Sequence, residues 1–133
     1  MNMSYSIYIA NEAFYDLNAT IDYIEYGLKN PTAGEKLHHK FFEAARLLSF
    51  SPTMYPIIHD IFLSHLRIRF VPVDNYLLFY TIADKLSEVR ILRFLYAKSD
   101  WRTILKSSPN TFYVELEHKD HYVNEDVAKF NDQ

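Results

Sequence analysis

Two arginines two residues apart, Arg67 and Arg69, are the first candidates for chemistry. They fall in the alternating stretch Leu66–Val71, which reads as a strand, so the spacing predicts that both point to one face. Ile68 and its apolar neighbours then point to the other face, against helices. Arg93, out of phase with Leu92 and Phe94, is expected to join the pair, and Lys98 follows just past that later strand. A guanidinium offers a planar fork of donors that matches phosphate oxygens, so such a cluster suits an anionic partner. The charge pattern agrees. Residues 66–106 carry eight basic and four acidic side chains, whereas residues 107–133 carry two basic and six acidic ones. A basic middle beside an acidic tail predicts that residues 66–106 face an anion.

Other chemistries find less to work with. The chain has no cysteine, which excludes disulfides, thiolate zinc sites and a cysteine nucleophile. Its two glycines, Gly27 and Gly34, cannot write a phosphate-cradling loop. His38 and His39 are adjacent and diverge on a helix. His118 and His121 lie three apart in the acidic tail near Asp120 and are a weak metal pair, so no metal and no cofactor are expected. No Ser-His-Asp arrangement and no apolar-set carboxylate pair is legible. No apolar run is long enough to span a membrane, and Met1–Ala10 lacks the form of a secretory signal. A cytoplasmic protein without membrane contact is expected.

These residues need elements to hold them. Ser4–Ala10 alternates as a short strand. Asn11 offers a helix cap, and Phe14, Leu17, Ile21, Ile24 and Leu28 form an apolar helical stripe. Lys29-Asn30-Pro31 breaks that helix and starts another, since proline is at ease in a first turn. Its stripe is Ala33, Leu37, Phe41, Ala44, Ala45 and Leu48, and Ser51-Pro52 ends it. So short a break makes a helical hairpin. Residues 52–65 read as a loop. Three strands joined by tight turns follow at Leu66–Val71, Tyr76–Ala83 and Glu88–Tyr96. The middle one is apolar on both sides, and a partner or the tail is expected to cover its second face. Ser99–Lys106 reads as a short helix capped by Ser99. In the tail, Phe112, Val114 and Leu116 suggest a strand, and Asn124 a helix cap. The expected fold is α+β: a small, mostly antiparallel sheet with an N-terminal strand and the hairpin on one face. One domain covers 1–106, and 107–133 is an acidic C-terminal extension.

With these residues in order, the chain resembles a known family. Leu66-Arg-Ile-Arg-Phe, Asn75-Tyr-Leu-Leu-Phe-Tyr80 and Val89-Arg-Ile-Leu-Arg-Phe-Leu-Tyr-Ala-Lys-Ser-Asp-Trp101 resemble the RelE/ParE superfamily of toxins from type II toxin–antitoxin modules. Asn30-Pro31 between the helices, and Pro52 and Pro56 after them, fit as well. The resemblance spans residues 5–106. It implies a bacterial growth inhibitor neutralised by a cognate antitoxin, with operator DNA contacted only through that antitoxin, as in plasmid-stabilising modules. RelE-like members cleave mRNA on the ribosome without metal, using clustered basic residues and an acid–base group. ParE-like members inhibit DNA gyrase. Arg67 and Arg69 match the basic positions of the second strand. The arginine of the next strand falls on Leu77, and the basic residue past the last strand falls on Ser99, with Lys98 beside it. Leu105 stands where a later tyrosine is found. Tyr96 stands where many relatives carry histidine. The long hairpin and the ending Ile91-Leu92-Arg93 resemble ParE-like members more. The resemblance therefore implies gyrase inhibition first, with Arg67, Arg69, Arg93 and Lys98 as target-binding residues. As a ribonuclease, its site would be Arg67, Arg69, Tyr96 and Lys98.

Overall fold

The computed structural model describes residues 4–107 and 122–123. The chain opens with strand β1 (Ser6–Ile9), then helix α1 (Asn11–Asp22) running into a π-helical turn (Tyr23–Gly27). Helix α2 (Pro31–Phe50), short helix α3 (Ile61–His65), strands β2 (Arg69–Val73), β3 (Tyr76–Ala83) and β4 (Glu88–Tyr96), helix α4 (Trp101–Lys106) and a two-residue strand β5 (Tyr122–Val123) follow. The sheet order is β2-β3-β4-β1-β5. β2, β3 and β4 form the expected antiparallel meander, and β1 lies parallel to β4, with Ile7 opposite Val89.

α1 starts at Asn11 itself. Its boundary residue is Ala10, whose carbonyl receives the amides of Ala13 and Phe14, so the expected Asn11 cap is not used. The stripe holds through Leu17, Ile21 and Ile24, but Leu28 is exposed. The π turn explains this. There the Leu28 amide bonds back to the Tyr23 carbonyl, five residues away, and the wider turn rotates the chain off the helical phase. α2 begins as expected, with Pro31 in the first turn and the Asn30 side chain accepting from the Ala33 amide at 3.1 Å. Gly34 lets the two helices close. A Cβ there would sit 2.4 Å from Cγ of Glu25.

The sheet separates two apolar clusters. On one face, Ile7, Ile9, Val71, Leu78, Tyr80, Ile91 and Phe94 meet Leu17, Leu37, Phe41 and Leu48 of the hairpin. Phe41 and Phe94 meet edge to face at 5.0 Å. On the other face, Ile68, Leu77, Phe79 and Leu92 pack under Ile58, Leu63 and Leu105, with Trp101 at the side. Among the described residues, α3 and α4 thus cover the second face of β3, where a partner or the tail was expected. α3 was expected to be loop. Asp60 starts it by accepting from the Phe62 and Leu63 amides. α4 is bounded by Asp100 rather than Ser99, whose hydroxyl instead donates to the Tyr96 carbonyl. The candidate strand at 112–116 and the helix capped by Asn124 lie outside the described residues, as do His118 and His121.

Candidate functional site

The expected strand Leu66–Val71 begins three residues late. Arg67 has φ +58, in the left-handed region, and its carbonyl accepts from the Thr81 hydroxyl at 3.1 Å. That turn breaks the alternation, so Arg67 and Arg69 do not share a strand face. Arg69 points toward the hairpin side with Val71 and Val73, where its guanidinium donates to the Tyr55 carbonyl beside Tyr80. Ile68 is fully buried on the opposite side, under α3 and α4, the reverse of the expected placement.

Arg93 does not join this pair. Asp16 on α1 accepts from Nε and from a terminal nitrogen of Arg93, at 2.7 and 3.0 Å, and from the Phe94 amide at 2.9 Å. The carboxylate beside it holds the guanidinium pKa above its ordinary value. A bulge between Phe79 and Tyr80 shifts the register here, so that Phe79 faces Arg93 and Tyr80 faces Ile91. Other cations of the basic stretch are also engaged within the chain. Arg90 is buried against Glu88 at 2.6 Å, with its guanidinium 5.0 Å from the Tyr8 ring centre. Lys106 and Arg102 reach Asp60 at 3.0 and 3.8 Å. Arg67, Lys85 and Lys98 are exposed. The surplus of positive charge read from the sequence is therefore spent largely on internal pairs.

Tyr96 and Lys98 sit at the far end of the sheet. Tyr96 faces Tyr76 across β3 and β4, while Arg69 faces Tyr80. Four strand residues separate those two rungs, about 13 Å along the ladder. The Ala97 amide donates to the Asn75 carbonyl, which places Lys98 beside the β2–β3 turn, away from Arg67. The four residues of the ribonuclease reading thus occupy two ends of the sheet.

The Tyr96 end carries a groove of about 600 Å³, walled by Tyr23, Leu28, Tyr76 and Tyr96 over the small side chains of Ala19 and Thr20. Tyr96 is 46% exposed, its ring 5.7 Å from that of Tyr76, which stacks on Phe94. Burial first, then its phenolic neighbours, pushes the Tyr76 hydroxyl pKa up. A second groove, of about 340 Å³, lies between α2 and β2. Val71, Val73 and Leu48 line it, and Leu47 and Met54 are exposed beside it. The Lys40–Asp74 ion pair, at 3.0 Å, stands at its rim. Sequence reasoning missed both grooves. Tyr23 and Leu28 reach the first through the π turn, and Met54 completes the second from a segment with no periodicity. Among the described residues, no group of three or more potential ligands is placed to hold a metal ion. No described helix is long and apolar enough to cross a membrane.

A family model described as the ParE toxin of the type II toxin–antitoxin system parDE matches residues 7–101. No curated protein matches the chain. Among solved structures, the RelBE2 toxin–antitoxin complex of Mycobacterium tuberculosis is similar, with 17% identity and a TM-score of 0.45 over 74% of this chain and 98% of that one. The family match spans β1, the hairpin, the meander and the start of α4, and the chain belongs to the ParE toxin family of type II toxin–antitoxin systems.

Proposed function

We propose that this toxin acts by binding, as an inhibitor of DNA gyrase in the bacterial cytoplasm, and that a cognate antitoxin neutralises it. The observation that supports this reading is the separation of Arg69 from Tyr96, two rungs of the sheet about 13 Å apart. Cleavage at a 2′-hydroxyl needs an acid or base and phosphate-stabilising cations around one scissile bond. Here Arg93 is clamped by Asp16, Leu77 is buried, and Arg69 is turned toward the Tyr55 carbonyl. Surface residues at either end, Arg67 and Lys98, serve a docking role without having to converge. No metal or cofactor enters this reading, and operator DNA is reached through the antitoxin.

The test is induced expression in a bacterial host lacking the antitoxin, with mRNA integrity and plasmid topology read from the same culture. Gyrase inhibition gives intact mRNA with cleaved or relaxed plasmid. Fragmented mRNA with unchanged plasmid topology would replace this reading with that of a ribosome-dependent endoribonuclease. The exposed neighbours Tyr96 and Lys98 would then be its first residues to mutate.

A further inference from the structure

The groove at the Tyr96 end is walled by rings from three elements: Tyr23 from the π turn, Tyr76 from β3 and Tyr96 from β4. Tyr76 and Tyr96 are opposite each other on the ladder, with ring centres 5.7 Å apart and planes tilted by 58°. Tyr76 is held from behind. It stacks on Phe94 at 5.3 Å, and Phe94 meets Phe41 in the core. Gly27 places the third wall. A Cβ there would stand 3.0 Å from the Tyr23 ring, so the bare backbone of the π turn lets that ring lie close. After burial, Tyr96 and then Tyr23 act on the Tyr76 hydroxyl, so the three phenols lie within electrostatic reach of one another. Beneath them, Ala19 and Thr20 are small enough to leave about 600 Å³ open.

We propose that this groove is an aromatic cage for the guanidinium of an arginine carried by a partner protein. The lining decides between occupants. Among the described residues that form it, the polar side chains are the hydroxyls of Thr20 and the three tyrosines, with neither a cation nor a carboxylate. A phosphate or carboxylate entering it meets no counter-charge and faces the negative surfaces of the rings. A divalent metal ion finds no charged oxygen ligand. An organic cation is attracted by those same ring faces. Of the two protein cations, guanidinium is planar, stacks on aromatic faces and is weakly hydrated, whereas ammonium must give up tightly held water. The hydroxyl oxygens accept from its fork of N–H donors. Tyr23 and Tyr96 are both exposed, so the cage is open to a side chain from outside. The assignment stands with either gyrase or mRNA as the toxin's target.

The probe is a short peptide, acetyl-Gly-Arg-Gly-amide, compared with its lysine and citrulline counterparts. Citrulline keeps the shape of arginine without its charge. Each peptide is titrated into the full-length chain, and the methyl groups of Ala19 and Thr20 are followed by NMR. The Ala44 methyl, in the groove between α2 and β2, is the control. The arginine peptide is expected to shift both floor methyls saturably and to leave Ala44 unmoved. The lysine peptide is expected to bind about threefold more weakly and the citrulline peptide about tenfold more weakly. Tyr23→Leu is expected to weaken the arginine peptide about threefold, while Tyr23→Phe, which keeps the ring face, retains its binding. The three-peptide comparison needs no variant and holds even where Tyr23→Leu fails to fold. Absence of a saturable shift would overturn the cage. Equal binding of citrulline would overturn the part played by charge, and equal binding of lysine the choice of guanidinium. Tighter binding of adenosine monophosphate at the same methyls would assign the groove to a nucleotide instead.

Discussion

Asp16 and Arg93 join the first helix to the last long strand by two hydrogen bonds at 2.7 and 3.0 Å, and the same carboxylate holds the Phe94 amide. Both side chains are nearly buried. Replacing Asp16 by Ala leaves a nearly buried guanidinium and a backbone N–H without their acceptor. The expected loss is about 3 kcal/mol of stability, the usual consequence of breaking a buried pair from one side. Arg93→Met also breaks the pair from one side, but it keeps the volume and leaves the Asp16 carboxylate its Phe94 amide donor, so it is expected to cost less. Urea midpoints of the two variants check the order.

Asp60 ties α3 to α4, capping the one and pairing with Lys106 of the other. The Lys106 ammonium first, then the Leu63 amide, holds its carboxyl below the usual aspartate range. A depressed folded value means stability that is full above the unfolded pKa of about 4 and lost as pH falls through the folded value. Asp60→Asn is therefore expected to be less stable than the parent near neutrality, with the gap closing in acid. Denaturant titrations followed by Trp101 fluorescence, at pH 7 and at pH 3, measure it.

The Tyr80 hydroxyl donates to the Pro52 carbonyl at 2.8 Å, and burial pushes its pKa up to about 12. The folded state favours the neutral phenol. Its contribution is thus complete below the unfolded value of about 10 and disappears as pH rises from there through about 12. Tyr80→Phe is expected to cost about 1 kcal/mol at neutral pH and to flatten the alkaline fall in stability. Melting temperatures at pH 8 and pH 11 test both parts.

Tyr96 stands at the strand end with Lys98 just beyond it. For an inhibitor that binds, Tyr96→Phe removes one hydroxyl from a surface and is expected to leave growth arrest unchanged. Loss of a general acid or base would instead cost about 10²–10⁴-fold in rate. Growth curves after induction, with antitoxin absent, separate the two.

The sequence made much of this fold legible where periodicity was strong. β3 and β4 have the bounds that their apolar runs and turns indicated, and Asn30-Pro31 opens α2 as expected. The hairpin stripe lies on the core through Leu17, Phe41 and Leu48. The family resemblance is also borne out. The site was less legible. Arg67 looked like a strand residue because Leu66 and Ile68 flank it, yet its left-handed backbone breaks the strand, which no hydrophobic pattern records. The second cover of the sheet was missed because α3 and α4 are too short for a helical period to emerge. Likewise, no local pattern says that Arg93 finds its carboxylate on α1.

The parallel pairing of Ile7 with Val89 also sets an order on synthesis. Roughly eighty residues must leave the ribosome between the two strands, which at about 5–20 residues per second takes some seconds. Until β2 and β3 emerge, α1 and α2 have no sheet to rest on, and their apolar stripe is presented to whatever is nearby. The nascent helical hairpin is thus the part of this toxin most open to capture by chaperones. No toxic surface that depends on β4 exists until translation has passed Tyr96.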